Sequence, residues 1–126
     1  MPVVDYTMCE NVLSCREVGR VDSGDARDYA GIVAEAADVS LQPIVVFIDA
    51  RDAEFITPDA AHVFVASAEV TDNVRCYVVV THDLVLKQTS RILGVRNRRG
   101  NTHVFDSYEQ ALDFAWEQAQ LQAATR

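Results

Sequence analysis

Apolar residues recur along this chain in two alternating rhythms, a two-residue step in some stretches and a three-to-four-residue step in others. Val3 to Cys9 and Val12 to Val18 are short apolar–polar stretches around Glu10 and Asn11. They predict a hairpin or adjacent strands, with Tyr6, Met8, Leu13 and Cys15 among the inward positions. Gly19 to Gly24 then makes a turn in which Asp22 or Ser23 can cap a helix. That helix runs to about Val39, because Ala26, Tyr29, Ala30, Val33, Ala36 and Ala37 form one apolar face. Gln42 and Pro43 break it. Ile44 to Ile48 are five consecutive apolar residues, too short for a membrane span, and predict a strand buried on both faces.

This central strand is expected to stop in a charged loop at Asp49, Ala50, Arg51 and Asp52. Thr57, Pro58 and Asp59 offer a cap, a proline at the first helical position and an acid in the first turn, so a second helix should run from Pro58 to about Ala68. Its sheet-facing candidates are Ala61, Phe64, Val65 and Ala68. Thr71 to Asn73 turn the chain into a strand at Arg75 to Val80. Thr81, His82 and Asp83 are expected to open a third helix ending near Leu93, with Gly94 as terminator. A polar loop from Arg96 to Asn101 precedes a short strand at Thr102 to Phe105. Ser107 and Gln110 have capping-box spacing for a fourth helix. Its buried stripe is Tyr108, Ala111, Leu112, Ala115, Trp116 and Ala119, and residues 122–126 are expected to fray. The reading is an α/β fold in one domain over residues 1–126: a mixed, mostly parallel sheet of about five strands with four helices, the first hairpin supplying an antiparallel edge.

Composition changes this picture little. With 126 residues, 49% of them hydrophobic and 24% charged, the chain can bury an ordinary globular core. No apolar run approaches the roughly 20 residues of a transmembrane helix. The start of the chain, with Asp5 and Glu10 and no basic cluster, does not read as a secretory signal. Cys9, Cys15 and Cys76 are odd in number and match no metal spacing, so a reduced cytoplasmic setting is the default. A net charge of -8 opposes general nucleic-acid binding. Yet Lys87, Arg91, Arg96, Arg98 and Arg99 gather in one region where Asp83 is the only acid nearby.

The order of two strands, then helix and strand in alternation, resembles the STAS and SpoIIAA-like domains, named for sulphate transporters and anti-sigma factor antagonists. The closing segment Val104-Phe105-Asp106-Ser107-Tyr108-Glu109-Gln110-Ala111-Leu112 is similar to the last strand and helix of uncharacterised SpoIIAA-like proteins. Asp49, with Thr57 and Ala60 to Ala61 downstream, also resembles them. The resemblance implies the SpoIIAA-like fold and a regulatory interaction role. The antagonists carry a phosphorylatable serine just after the aspartate that ends the central strand. Here Asp49 is followed by Ala50, Arg51 and Asp52, so no hydroxyl stands there.

Ligands and partners of open α/β sheets gather at the carboxyl ends of the strands. Asp49 and Arg51 could bind an anionic or polar group there, or form a structural ion pair. Thr57 serves a helix cap first. Thr81 and His82 lie at the end of the neighbouring strand, where capping alone also accounts for Thr81. Lys87 and Arg91 share a helix face, and with Arg96 they could receive an acidic protein surface, a phosphate group or a lipid headgroup, or be a solvated helix and loop. No catalytic or metal-binding residue is assigned: His62, His82 and His103 lack metal-ligand spacing, and no phosphate loop or nucleophile elbow is present. The leading expectation is a non-enzymatic interaction or regulatory module without a cofactor, recognising a protein partner or a small ligand, with no nucleic acid and with a homodimer in view. The alternative is a small-molecule or lipid carrier of SEC14-like character; a small hydrolase using His82 with Asp49 or Asp83 ranks below both.

Overall fold

In the computed structural model, which describes residues 3–83 and 101–124, Glu10 and Asn11 turn the first two strands into a hairpin. Glu10 takes a left-handed backbone (φ 53°), as a two-residue hairpin connection requires. The strands are β1 (Val3–Cys9) and β2 (Val12–Val21), followed by α1 (Ser23–Val39), β3 (Ile44–Ile56), α2 (Pro58–Val70), β4 (Val74–Val80), β5 (Thr102–Phe105) and α3 (Tyr108–Ala124). The five strands lie in chain order, β1-β2-β3-β4-β5. The β1–β2 pair is antiparallel and the other three pairings are parallel, so the sheet is mixed, with β1 as its antiparallel edge.

Alternation along the strands divides the core into two layers. Leu13, Cys15, Ile44, Val46, Ile48, Tyr77 and Val79 face α1 and α2. Val12, Val45, Phe47, Cys76, Val78 and Val80 face α3, whose Ala111, Ala115 and Ala119 let it lie close to the sheet. Tyr29 of α1 meets Phe64 of α2 edge to face, their ring centroids 5.1 Å apart.

The helix starts are held as their sequences imply. The Asp22 carboxylate accepts from the Asp25 N–H while the Asp25 carboxylate accepts from the Asp22 N–H. Thr57 Oγ1 accepts from the Ala60 N–H, and Ser107 Oγ from the Gln110 N–H. The end of α1 has a less legible partner. Asn73, in a left-handed backbone conformation (φ 65°), donates its side-chain amide to the carbonyls of Ala37, Ser40 and Gln42 at 2.8, 3.1 and 3.4 Å. The carbonyls left over at the helix end are thereby satisfied from the start of β4.

Several expectations are corrected. The central strand does not stop at Ile48. It continues through Asp49 to Ile56, because β2 also runs on, to Val21, and pairs with it through two register shifts. Gly19, expected in a turn, lies inside β2 at a register shift, with a φ of 65° that suits glycine. Met8 is 45% exposed because it lies on the edge strand beside the hairpin turn. Four helices were expected, and three stand among the described residues. The remaining one falls, apart from Thr81 to Asp83, outside the described residues, and those three are irregular. The α3 backbone stays helical to Ala124, beyond the expected fraying point.

Candidate functional site at the carboxyl edge of the sheet

Three strands reach the same level where Asp49 of β3 pairs with Val80 of β4 and Val80 with Phe105 of β5. Beyond this level β2 and β3 continue alone as a two-stranded ribbon among the described residues. Asp49 and Arg51 stand two residues apart on one strand, so both project from the α3 face. The Asp49 side chain is 10% exposed and that of Arg51 36%. Arg51 Nε and Nη2 donate to the two Asp49 oxygens at 2.9 Å each, and the Arg51 N–H donates to Oδ1 at 3.2 Å. The pairing is bidentate and uses both faces of the carboxylate. The guanidinium also lies over the Tyr108 ring, 4.3 Å from its centroid, and Tyr108 packs edge to face on Phe47.

Burial pushes the Asp49 carboxyl upward, but the hydrogen bonds and charge of Arg51, with Arg16 behind, outweigh it and hold it below the ordinary carboxylate value. Asp49 is therefore an ionised, fully engaged group. Arg16 makes a second, exposed junction, donating to Asp5 at 2.7 Å and to Asp52 at 2.8 Å. It joins β1, β2 and β3 at the same edge. The bulge between Val4 and Thr7, with Asp5 at φ 57°, helps to bring that carboxylate within reach.

The other expected site residues separate into groups. Thr57 caps α2 and its N–H donates to the Val21 carbonyl, so it belongs to the far end of the ribbon. Thr81 is fully buried, its N–H bound to Phe105 and its hydroxyl accepting from the Asp83 N–H. It builds the edge rather than facing outward. His82 is exposed beside it. Lys87, Arg91 and Arg96 lie outside the described residues. Among the described residues no three His, Cys, Asp or Glu side chains converge to hold a metal, and no helix is long and apolar enough to cross a membrane.

Sequence reasoning missed two participants. Tyr108 was read only as part of the buried stripe of its helix, yet its exposed-side face carries Arg51. Glu17 was not singled out, although Leu13, Cys15 and Glu17 occupy alternate positions, which puts this acid on the inward face.

No protein-family model and no curated protein matches the chain. Solved structures do. An uncharacterised DUF3478-family protein with a SpoIIAA-like fold from Shewanella loihica PV-4 aligns with a TM-score of 0.67 at 15% identity, covering 90% of this chain and 93% of that one. An anti-sigma factor antagonist from Mycobacterium paratuberculosis gives 0.66 at 15% identity, over 90% and 94%. The anti-sigma factor antagonist SpoIIAA in its unphosphorylated form gives 0.63 at 10% identity, over 87% and 94%. With its five-stranded mixed sheet, its helices on both faces and this near-complete overlap, the chain has the SpoIIAA-like fold of STAS domains.

Proposed function

We propose that the protein is a non-enzymatic interaction module that recognises a protein partner through the carboxyl edge of its sheet. The observation that carries this reading is the closed Asp49–Arg51–Tyr108 arrangement. At the position after Asp49, where the resemblance would put a phosphorylatable serine, stands the buried Ala50, and the residues on either side of it form an ion pair already engaged with each other and with Tyr108. Such a group presents a fixed surface, with both Asp49 oxygens bonded to Arg51. Further along the same ribbon Phe55 is 46% accessible, with the Arg20 guanidinium over its ring at 5.1 Å. His82, exposed just after β4, is assigned to the same recognition surface. Two of the three neighbours named above are anti-sigma factor antagonists, which agrees with a regulatory partner.

A lipid carrier receives less support. The cavity on the α1–α2 side measures about 70 Å³ among the described residues, against the roughly 150 Å³ of a cavity that takes a benzene-sized guest, and the larger groove of about 500 Å³ is lined mainly by polar side chains, among them Glu10, Asn11, Ser40, Gln42 and Gln120. The test places a photo-crosslinking amino acid at Phe55 and, separately, at Val70, an exposed residue at the end of α2. A discrete adduct from position 55 in cells, lost on Arg51→Glu, is the expected result. The same adducts from both positions, or none from position 55, would overturn the proposal.

A further inference from the structure

Glu17 is the least explained acid in the molecule. It lies on the inward face of β2, is 5% exposed, and its Oε2 is fully buried without a hydrogen-bond partner. Nothing in the Asp49–Arg51 edge uses it, because it stands on the opposite face of the sheet. A carboxyl oxygen taken from water and left without a donor is strongly unfavourable, so an acid there calls for a donor from elsewhere. It borders the cavity of about 70 Å³, whose lining includes the polar-tipped Tyr29 and Tyr77 and the apolar Ile48, Phe64 and Val79. At about 10–15 Å³ of probe-occupied space for each water-sized atom, it has room for roughly five heavy atoms.

We propose that this cavity is a binding site for a small molecule that donates a hydrogen bond to Glu17 from a short apolar body, as a short-chain alcohol or amine does. The apolar wall selects against a purely polar guest, and the unmatched oxygen selects for an N–H or O–H. Among the described residues, the titratable groups that share this layer are Tyr6 on β1, Cys15 on β2, Tyr29 with Asp25 and Asp28 on α1, and Tyr77 on β4. None is a cation, and burial alone pushes the Glu17 carboxyl up to about 7. An anionic guest is therefore disfavoured, and a donor is accepted whether neutral or charged. The site is independent of the interaction surface proposed above.

The experiment titrates the full chain with 1-propanol, n-propylamine and methoxyethane at about pH 8.5, above the raised Glu17 value so that its carboxylate only accepts, following backbone amide shifts by NMR. Methoxyethane has the atoms of 1-propanol but no donor. Saturable shifts at Glu17, Phe64 and Val79 in the millimolar range are expected for the donors, about tenfold weaker for the ether. A preference for propylamine over propanol identifies a cationic guest, and the reverse a neutral one. Glu17→Met should abolish the discrimination against the ether. Ala68→Leu, which fills the cavity wall, should abolish all three responses while the spectrum stays dispersed. Equal binding of alcohol and ether, binding that survives Ala68→Leu, or no response at these amides, meaning a cavity that holds water only, would overturn the proposal.

Discussion

Arg51 lies across the ring of Tyr108, so the extension of β3 and the first turn of α3 are joined by one guanidinium that also grips Asp49. The strand segment past Asp49 has no β4 partner among the described residues. This contact gives it a second anchor besides β2.

Replacing Arg51 with methionine keeps the stem over Tyr108 and removes the cation. Asp49 then stays largely buried without its bidentate partner, and stability should fall by about 1–3 kcal/mol. The pH dependence should change as well. In the native protein the depressed Asp49 value contributes stability that is present above the ordinary carboxylate range and is lost as pH falls through the lower folded value. In the variant burial acts with little opposition, so this contribution shrinks or reverses. Urea unfolding at a series of acidic pH values measures both effects.

Glu17 should act in the opposite sense. Its folded value is raised by burial from about 4.5 to about 7. The stability tied to its protonated form is fully present below about pH 4.5 and is lost as pH rises through about 7. The span corresponds to on the order of 3 kcal/mol. Glu17→Gln should flatten that decline and raise the urea midpoint at pH 8 more than at pH 4.

Asn73 separates conformational from hydrogen-bonding effects. Asn73→Gly keeps the left-handed backbone but loses the bonds to α1, and should cost about 1–2 kcal/mol. Asn73→Ala loses the bonds and adds the left-handed penalty, about 1 kcal/mol more. Thermal unfolding of both variants checks the order; equal losses would show that the backbone conformation carries no strain.

The thiols should sort by burial. Cys9 is exposed, whereas Cys15 and Cys76 are buried. Burial raises both buried thiols, Cys76 to about 11, which suppresses the reactive thiolate. Mass spectrometry after brief maleimide treatment should find the label on Cys9 alone in native protein and on all three cysteines in denaturant.

Much of the fold was legible because it is written locally. The hairpin at Glu10 and Asn11, the caps at Asp22, Thr57 and Ser107, and the Thr102–Phe105 strand each depend on neighbours within a few residues. The extension of β3 was not legible, since Asp-Ala-Arg-Asp-Ala-Glu has weak strand preference and is held extended by β2, more than thirty residues earlier. The Asp49–Arg51 pair was visible as a candidate. Its third member, Tyr108, comes from the other end of the chain, and only the sheet brings them together. The environment of Glu17 likewise depends on Tyr29 and Tyr77, on separate elements.

The coincidence of strand order with chain order has a consequence for biogenesis. Each strand docks on the edge left by the one before it, so the sheet can be built in the direction of synthesis, starting from the fast local hairpin. At every stage one edge is unfinished. The most hazardous is that of β4, whose Cys-Tyr-Val-Val-Val run is apolar on both faces and awaits a strand more than twenty residues away. A nascent chain held at the stage where Val80 has left the ribosome and Thr102 has not would therefore expose the described segment best able to recruit another chain.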